Sequence, residues 1–390
     1  MPLLGFSNKA FPQMGTVNPA PEKRAVPFFN YRYLFEGDEK GLTDVIMDVV
    51  HRGAYILQRD VDEFEAKLAK FLNVKHAISV ADGTNAMLLG YFAMDLKRGE
   101  EVIICSHTYV ATANAVHFAG GVPVCVDMGP DWMMDPADIE RAITPRTRAI
   151  CPTQVNGRTA DMDAIGAIAA KHNLDIVEDA AQGLGSKFKG RYAGTFGRWG
   201  TFSFYPAKVL GCFGDGGALV TNDDAIAEKV RLLRDHGRNA DGKFVAWGTN
   251  SRLDNLQAAI LSHKFDSYGE VMRRRRELAG LYHSLLSGLP QLELPPAPDA
   301  DERHYDIYQN YELSADRRDA LRDYLKAQGI GTLIQWGGQP VHQISALGMS
   351  GNCPRVDRFF ERCLILPLHM ALTDDDVRYV CAAIRSFYNA

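Results

Sequence analysis

LDIVEDAAQGLGSKFKGRYAGTFGRWGTFSFYPAKVLGCFGDGGALVTND, residues 174–223, holds three apolar runs separated by glycine-rich connections. LDIV reads as a strand that ends on the acidic pair Glu178-Asp179, and TFSFYP reads as a half-buried strand that delivers Lys208. Gly211, Gly214, Gly216 and Gly217 then suit a tight connection into a further strand, ALVTN. A carboxylate and an amine are thereby expected beyond the ends of two strands.

Upstream, the same rhythm is repeated. HAISVAD precedes NAMLLGYFAMDL, EVIICS precedes TANAVHFA, VPVCVDM precedes DPADIERAI, and RAICPTQV precedes DMDAIGAIAAKHN. Short apolar runs alternating with helical segments predict an α/β fold with a mainly parallel sheet flanked by helices. In the helix expected at 161–172, Met162, Ile165, Ile168 and Ala169 share one face. After residue 262 the character changes to a long helix, the strands YQNYEL and GTLIQW around a helix DRRDALRDYLKAQG, and a last helix opened by Thr373 with Asp376 as a capping box. The expected organisation is an N-terminal arm at 1–28, rich in proline, a large domain at 29–262, and a smaller C-terminal α+β domain at 263–390.

A chain of 390 residues can bury a large core, and its net charge of −5 argues against a nucleic-acid partner. Its one basic block, Arg273–Arg276, runs around more than a full helical turn and forms no single face. Seven cysteines without a C-x-x-C pair suggest neither zinc nor a disulfide framework, so no metal and a reducing cytoplasm are expected. No apolar run reaches the ~20 residues of a membrane span, and the opening MPLLGFSNKAFPQ lacks the apolar length of a secretory signal.

The amine and the carboxylate suit one cofactor, pyridoxal 5′-phosphate (PLP). Lysine condenses with its aldehyde, and a carboxylate facing the ring nitrogen keeps that nitrogen protonated, so that the ring accepts electrons. The turn Ala81-Asp82-Gly83-Thr84-Asn85, between a strand and a helix, offers amides, a helix dipole and a hydroxyl to a phosphate. Taken alone, such a turn is more often a plain helix cap.

The order E-D-A-A-Q at 178–182, S-F-Y-P-x-K at 203–208 and G-D-G-G-A-x-V-T-N-D at 214–223 resembles the DegT/DnrJ family of sugar aminotransferases. The resemblance runs from about residue 27 to the C-terminus and weakens after residue 300. It implies the type I PLP-transferase fold, with Lys208 as the Schiff-base residue and Asp179 on the pyridine nitrogen. It further implies Gly83, Thr84 and Ser203 on the phosphate, Tyr109 stacked on the ring, and Gln182 on the phenolic oxygen. Asn250, beside Arg252 in WGTNSRLDNLQAAI, would reach the phosphate of a partner subunit, which implies a homodimer with shared active sites. Partners would be an amino-acid donor, by analogy L-glutamate, and a ketosugar, nucleotide-linked, in amino-sugar, polysaccharide or antibiotic biosynthesis.

The sequence departs from the family pattern at several places. Asp82 stands where a serine is usual, Ser251 where a tyrosine is, and Gln58 where a glycine is. Gln154-Val155-Asn156-Gly157 replaces a His-Leu-Tyr-Gly run, and Gln335-Trp336-Gly337-Gly338 replaces a His-Tyr-Pro run, both expected near the substrate. His342 reads as a structural histidine. Competing readings are a cyclitol (keto-inositol) aminotransferase, which would keep every cofactor residue, and a PLP-dependent sugar dehydratase or lyase. The dehydratase branch carries histidine in place of Lys208. A non-catalytic PLP-binding regulator would need a DNA-binding or sensor domain, and none is visible.

Overall fold

The computed structural model describes residues 24–389. Seven strands form the main sheet in the order His76–Val80, Gly217–Thr221, Trp199–Ser203, Asp175–Asp179, Thr147–Cys151, Glu101–Cys105, Val122–Val126. Only Gly217–Thr221 runs against the others. Strands of this sheet have apolar runs because helices cover both faces: every residue of Glu101–Cys105 and of Gly217–Thr221, each one strand in from an edge, is buried.

The expected alternation holds along 76–179. The helices Gly83–Ala93, Val110–Phe118, Pro136–Ala142 and Met162–His172 follow successive strands. Met162, Ile165 and Ala169 are the buried residues of the last of these, in accord with its sequence periodicity. Asp135 and Asp161 cap their helices through side-chain oxygens that accept from Ala137 N and Ala164 N.

Beyond residue 262 the chain builds a second, antiparallel sheet from Leu292–Glu293, Tyr311–Ala315 and Cys363–Leu366. The helix Asn255–Phe265 runs through position 262, and Tyr268–Leu286 joins the two cores. Tyr268 and Met272 pack with Phe202 of the large sheet and Phe204 just beyond its strand, whereas Leu278, Tyr282 and Leu286 pack with Tyr311 and Leu364. The capping box at Thr373 and Asp376 is formed, with the Asp376 amide donating to the threonine hydroxyl oxygen and the Thr373 amide to the aspartate.

Two expected strands are corrected. YQNYEL pairs only from Tyr311 onward, because Tyr308 has φ 52° and turns the chain before the strand begins. GTLIQW makes a single bridge, Leu333 to Ile365, and then leaves the sheet: Trp336 (φ 48°), Gly337 (φ 71°) and Gly338 (φ 77°) are all left-handed. Residues 1–23 of the expected N-terminal arm lie outside the described residues. Its last part is held to the fold. Val26 is 1% exposed, donates to Gly329 O at 2.9 Å and accepts from Gly331 N at 2.8 Å.

Candidate active site

The carboxyl ends of the parallel strands open onto one cavity of about 790 Å³. Gly83, Thr84, Tyr109, Asp179, Gln182, Ser203 and Lys208 all line it. This is where a parallel sheet places ligands, because successive helices begin there and their free amides point outward.

Asp179 ends its strand and is 4% exposed. Its Oδ2 accepts from the Thr112 hydroxyl at 2.6 Å, and its Oδ1 from Ala181 N at 3.1 Å. Its neighbour Glu178 points the other way, into the core, and is fully buried. The Gly194, Phe196 and Gly197 amides and the Gln154 carboxamide all donate to it. Burial pushes the Glu178 carboxyl up, and those hydrogen bonds work against the shift.

Lys208 follows the strand Trp199–Ser203 on a turn closed by its own amide, which donates to Tyr205 O at 2.8 Å. Among the described residues no carboxylate lies within ion-pair distance of its amine. Protein surrounding the side chain pulls the ammonium down to about 8, and the charge of Asp179 pulls in the opposite direction. A lysine so placed is a nucleophile near neutral pH.

The turn 81–85 begins the helix Gly83–Ala93. The Asp82 carboxylate is engaged in capping: Oδ1 accepts from Asn85 N at 2.8 Å and Oδ2 from Asn85 Nδ2 at 2.6 Å. The amides of Gly83 and Thr84, in the first turn, have no intrahelical acceptor. Ser203 closes the same corner, since a Cβ at Gly83 would come within 2.9 Å of the serine Cβ.

Gln182 has its orientation fixed from outside. Asn156 N donates to Gln182 Oε1 at 2.7 Å, and because a backbone amide can only donate, the oxygen is assigned and Nε2 is the atom left for a ligand. The Tyr109 ring is 54% exposed, 6.3 Å from the Trp336 ring and tilted 39° to it.

Asn250 does not line this cavity; it is exposed and lies after an outward segment where Phe244 is 68% and Trp247 97% exposed. Arg252 pairs with Asp235 at 2.7 Å, and Ser251 is buried. The expectation that Gln154 faces substrate is corrected: it is 0% exposed, donates to Glu178 Oε2 at 2.7 Å and accepts from Ala160 N at 2.8 Å. Gln335 and Trp336 do line the cavity, whereas Gln58 is exposed before the helix Arg59–Leu72 and does not. His342 is buried against Ser106 Oγ at 2.6 Å and Asp357 at 3.0 Å, in agreement with a structural histidine. Sequence reading missed Thr112, Gln309 and Asn310; Asn156 lay in a stretch expected near the substrate, but its backbone contact to Gln182 was not foreseen. Thr112 lay in the same stretch as Tyr109, but a threonine within a helix carries no pattern that marks it.

Among the described residues no cluster of histidine, cysteine and carboxylate side chains is arranged to hold a metal, and no helix is long and apolar enough to cross a membrane.

These residues fit PLP: a partly buried lysine amine, a carboxylate at the end of the neighbouring strand, a helix N-terminus with a hydroxyl for a phosphate, and an oriented carboxamide. Residues 38–385 match the DegT/DnrJ/EryC1/StrS aminotransferase family. The chain is 39% identical over 372 residues to a dTDP-3-amino-3,4,6-trideoxy-alpha-D-glucose transaminase of Streptomyces venezuelae, covering 94% of this chain and 97% of that enzyme. It is 37% identical over 344 residues to the UDP-2-acetamido-2-deoxy-3-oxo-D-glucuronate aminotransferase of Pseudomonas aeruginosa, covering 87% and 94% of the two chains. The crystal structure of S. venezuelae DesV in complex with a ketimine intermediate superposes with a TM-score of 0.90 at 38% identity, covering 94% of this chain and 99% of that one. The fold is therefore that of the type I PLP transferases. This chain belongs to the DegT/DnrJ/EryC1/StrS family and is a PLP-dependent aminotransferase.

Proposed function

We propose that this enzyme moves an amino group from L-glutamate to a nucleotide-linked ketosugar, with Lys208 as the covalent anchor of PLP and as the group that moves protons. The observation that carries the reading is the convergence of Lys208, Asp179, Gln182, Ser203 and the 83–84 helix start on one cavity. When bound, PLP supplies an electron sink conjugated to the donor's amino group. The Lys208 amine, neutral above about pH 8, takes up the α-proton of the donor. Asp179, whose carboxylate is oriented by the Thr112 hydroxyl and the Ala181 amide, would meet the ring nitrogen and keep it protonated. Gln182 Nε2 would donate to the phenolic oxygen, and Tyr109 would cover the ring face and exclude water. Gly83, Thr84 and Ser203 would take the phosphate, joined by Asn250 of the partner subunit in a homodimer with shared sites. The exposed apolar side chains of Phe244 and Trp247, close to Asn250 in sequence, support that pairing. In this reading the segment 29–262 binds the cofactor, and 263–390 closes the substrate side. Seven free cysteines favour the reducing cytoplasm.

One observation favours a second reading, a keto-inositol acceptor. Among the described residues, Lys208 is the one lysine or arginine that lines the cavity; the polar lining also includes the neutral amides Gln182, Gln309, Asn310 and Gln335. A diphosphate would then take its cations from the partner subunit. The two readings are separated by measuring 2-oxoglutarate release from L-glutamate with dTDP- and UDP-linked 3-ketosugars and with scyllo-inosose. The proposal predicts kcat/KM at least ~100-fold higher for a nucleotide-linked acceptor. Turnover of the inosose alone would contradict it.

A further inference from the structure

Lys208 is gripped by a side chain from the far part of the sequence. Gln309 Nε2 donates to Ala207 O at 2.9 Å, and Gln309 Oε1 accepts from Val209 N at 3.0 Å. One carboxamide therefore pairs with the peptide groups on both sides of the lysine, as a neighbouring strand would. Because a carbonyl only accepts and an amide N–H only donates, the orientation of the carboxamide is unambiguous. Gln309 is 8% exposed and lines the same cavity as Lys208.

Gln309 is itself braced from two directions. Arg275, 4% exposed, donates from Nε to Tyr308 O at 2.9 Å and from Nη2 to Gln309 O at 2.7 Å. The planar guanidinium fork holds both carbonyls in one fixed geometry, whereas the donors of an ammonium rotate freely. On the other side Gly157 allows the backbones to touch. Ile307 N donates to Gly157 O at 2.9 Å, and a Cβ at 157 would stand 2.7 Å from Gln309 N and 2.9 Å from Tyr308 N. The residue beside Gly157 is Asn156, whose amide orients Gln182. Segments 156–157 and 307–309 thus form one hub that sets Gln182 through a backbone amide and Lys208 through a side-chain carboxamide.

We propose that Gln309 is a positioning residue for Lys208: its carboxamide fixes the peptide planes flanking the lysine, so that the amine is presented at the angle its covalent chemistry requires. The inference rests on the reading of Lys208 as the cofactor's anchor. A lysine has four rotatable side-chain bonds, and a mobile backbone beneath them would multiply its non-productive positions. The contact also ties the cofactor loop to the segment leading into the second sheet.

The test is Gln309→Met, which keeps length and apolar volume and removes both hydrogen bonds. Wild type and variant are saturated with PLP and treated with borohydride, and the rate and site of covalent fixation are read by peptide mass; thermal denaturation and the steady-state constants are measured beside it. The expected result is fixation and kcat both reduced about 10- to 100-fold, with the donor KM changed less than about threefold and Tm within a few degrees. Fixation at Lys208 and kcat both at wild-type levels in the variant would overturn the role of Gln309 alone. Fixation of another lysine, or of none, in the wild type would instead overturn the reading of Lys208. Should the variant not fold, hydrogen exchange of wild-type apoprotein decides: the Val209 amide, whose acceptor is the Gln309 carboxamide, is expected to be protected. Exchange at the rate of an open loop would overturn the clamp.

Discussion

The Thr112 hydroxyl donates to Asp179 Oδ2 at 2.6 Å and is the last member of a chain of three threonines. Each hydroxyl has one proton. With that of Thr112 committed to Asp179, Thr108 donates to Thr112 at 2.7 Å, and Thr153 donates to Thr108 at 2.8 Å. Every proton in the chain therefore points toward the carboxylate, and the chain is buried. Thr112→Val, similar in shape, is expected to lower kcat about 5- to 10-fold, the cost of one hydrogen bond of about 1 kcal/mol, with little change in KM. Steady-state kinetics at saturating PLP check this; an unchanged kcat would remove Thr112 from the orientation of Asp179.

Asp179→Asn removes the charge opposite the ring nitrogen and keeps the shape. A loss of about three orders of magnitude in kcat is expected, roughly 4 kcal/mol of transition-state stabilisation. A loss below about tenfold would show that Asp179 does not sustain the electron sink.

Lys208 sets a pH dependence whose sign follows from burial. Its ammonium is lowered to about 8 from the ordinary 10.5, so the apoprotein holds fewer protons than the unfolded chain between those values. The lysine's contribution to stability is least below pH 8, rises between pH 8 and 10.5, and is complete above. It is read as the difference between wild type and Lys208→Met, because thiols pushed up by burial, such as Cys212 at about 12, act in the opposite sense above pH 9. The rate of PLP capture by the apoprotein is expected to rise through about pH 8 and level off. Asp179→Asn, by removing a charge that raises the lysine's value, moves that inflection lower.

Gly157→Ala is expected to be costly and Gly166→Ala not. At Gly157 φ is +83° and a Cβ would meet three atoms within 2.9 Å, whereas at Gly166, inside the helix Met162–His172, nothing lies within 4 Å. Thermal denaturation should show Gly157→Ala destabilised by at least about 2 kcal/mol and Gly166→Ala neutral or stabilised by up to about 1 kcal/mol. Equal effects would contradict the close packing of the hub.

How much could be read beforehand depended on the range of the interactions. The alternation along 76–179 was legible because strands covered on both faces must be continuously apolar, and because helix starts carry local caps such as Asp135 and Asp161. GTLIQW has the composition of a strand, yet three consecutive left-handed residues at 336–338 take it out of the sheet, and only the tertiary setting imposes that. Lys208 and Asp179 were marked by short spacing to strand ends. The clamp at Gln309 was not, because its partners lie 100 or more residues away and glutamine has no pattern that distinguishes a clamp from a surface side chain. The role of Gln154, which read as substrate-facing, was hidden although its partner is only 24 residues away, because nothing in its sequence surroundings marks a glutamine that serves the buried Glu178.

The most direct test of an aminotransferase built on Lys208 is the absorption spectrum of the purified protein with PLP, before and after excess L-glutamate. The account predicts a band near ~410 to 425 nm from the lysine-bound cofactor that moves to ~330 nm as the amino group is taken up, and no such band in Lys208→Ala. A protein that never develops the first band, or a Lys208→Ala variant that develops it and transaminates at the wild-type rate, would contradict it.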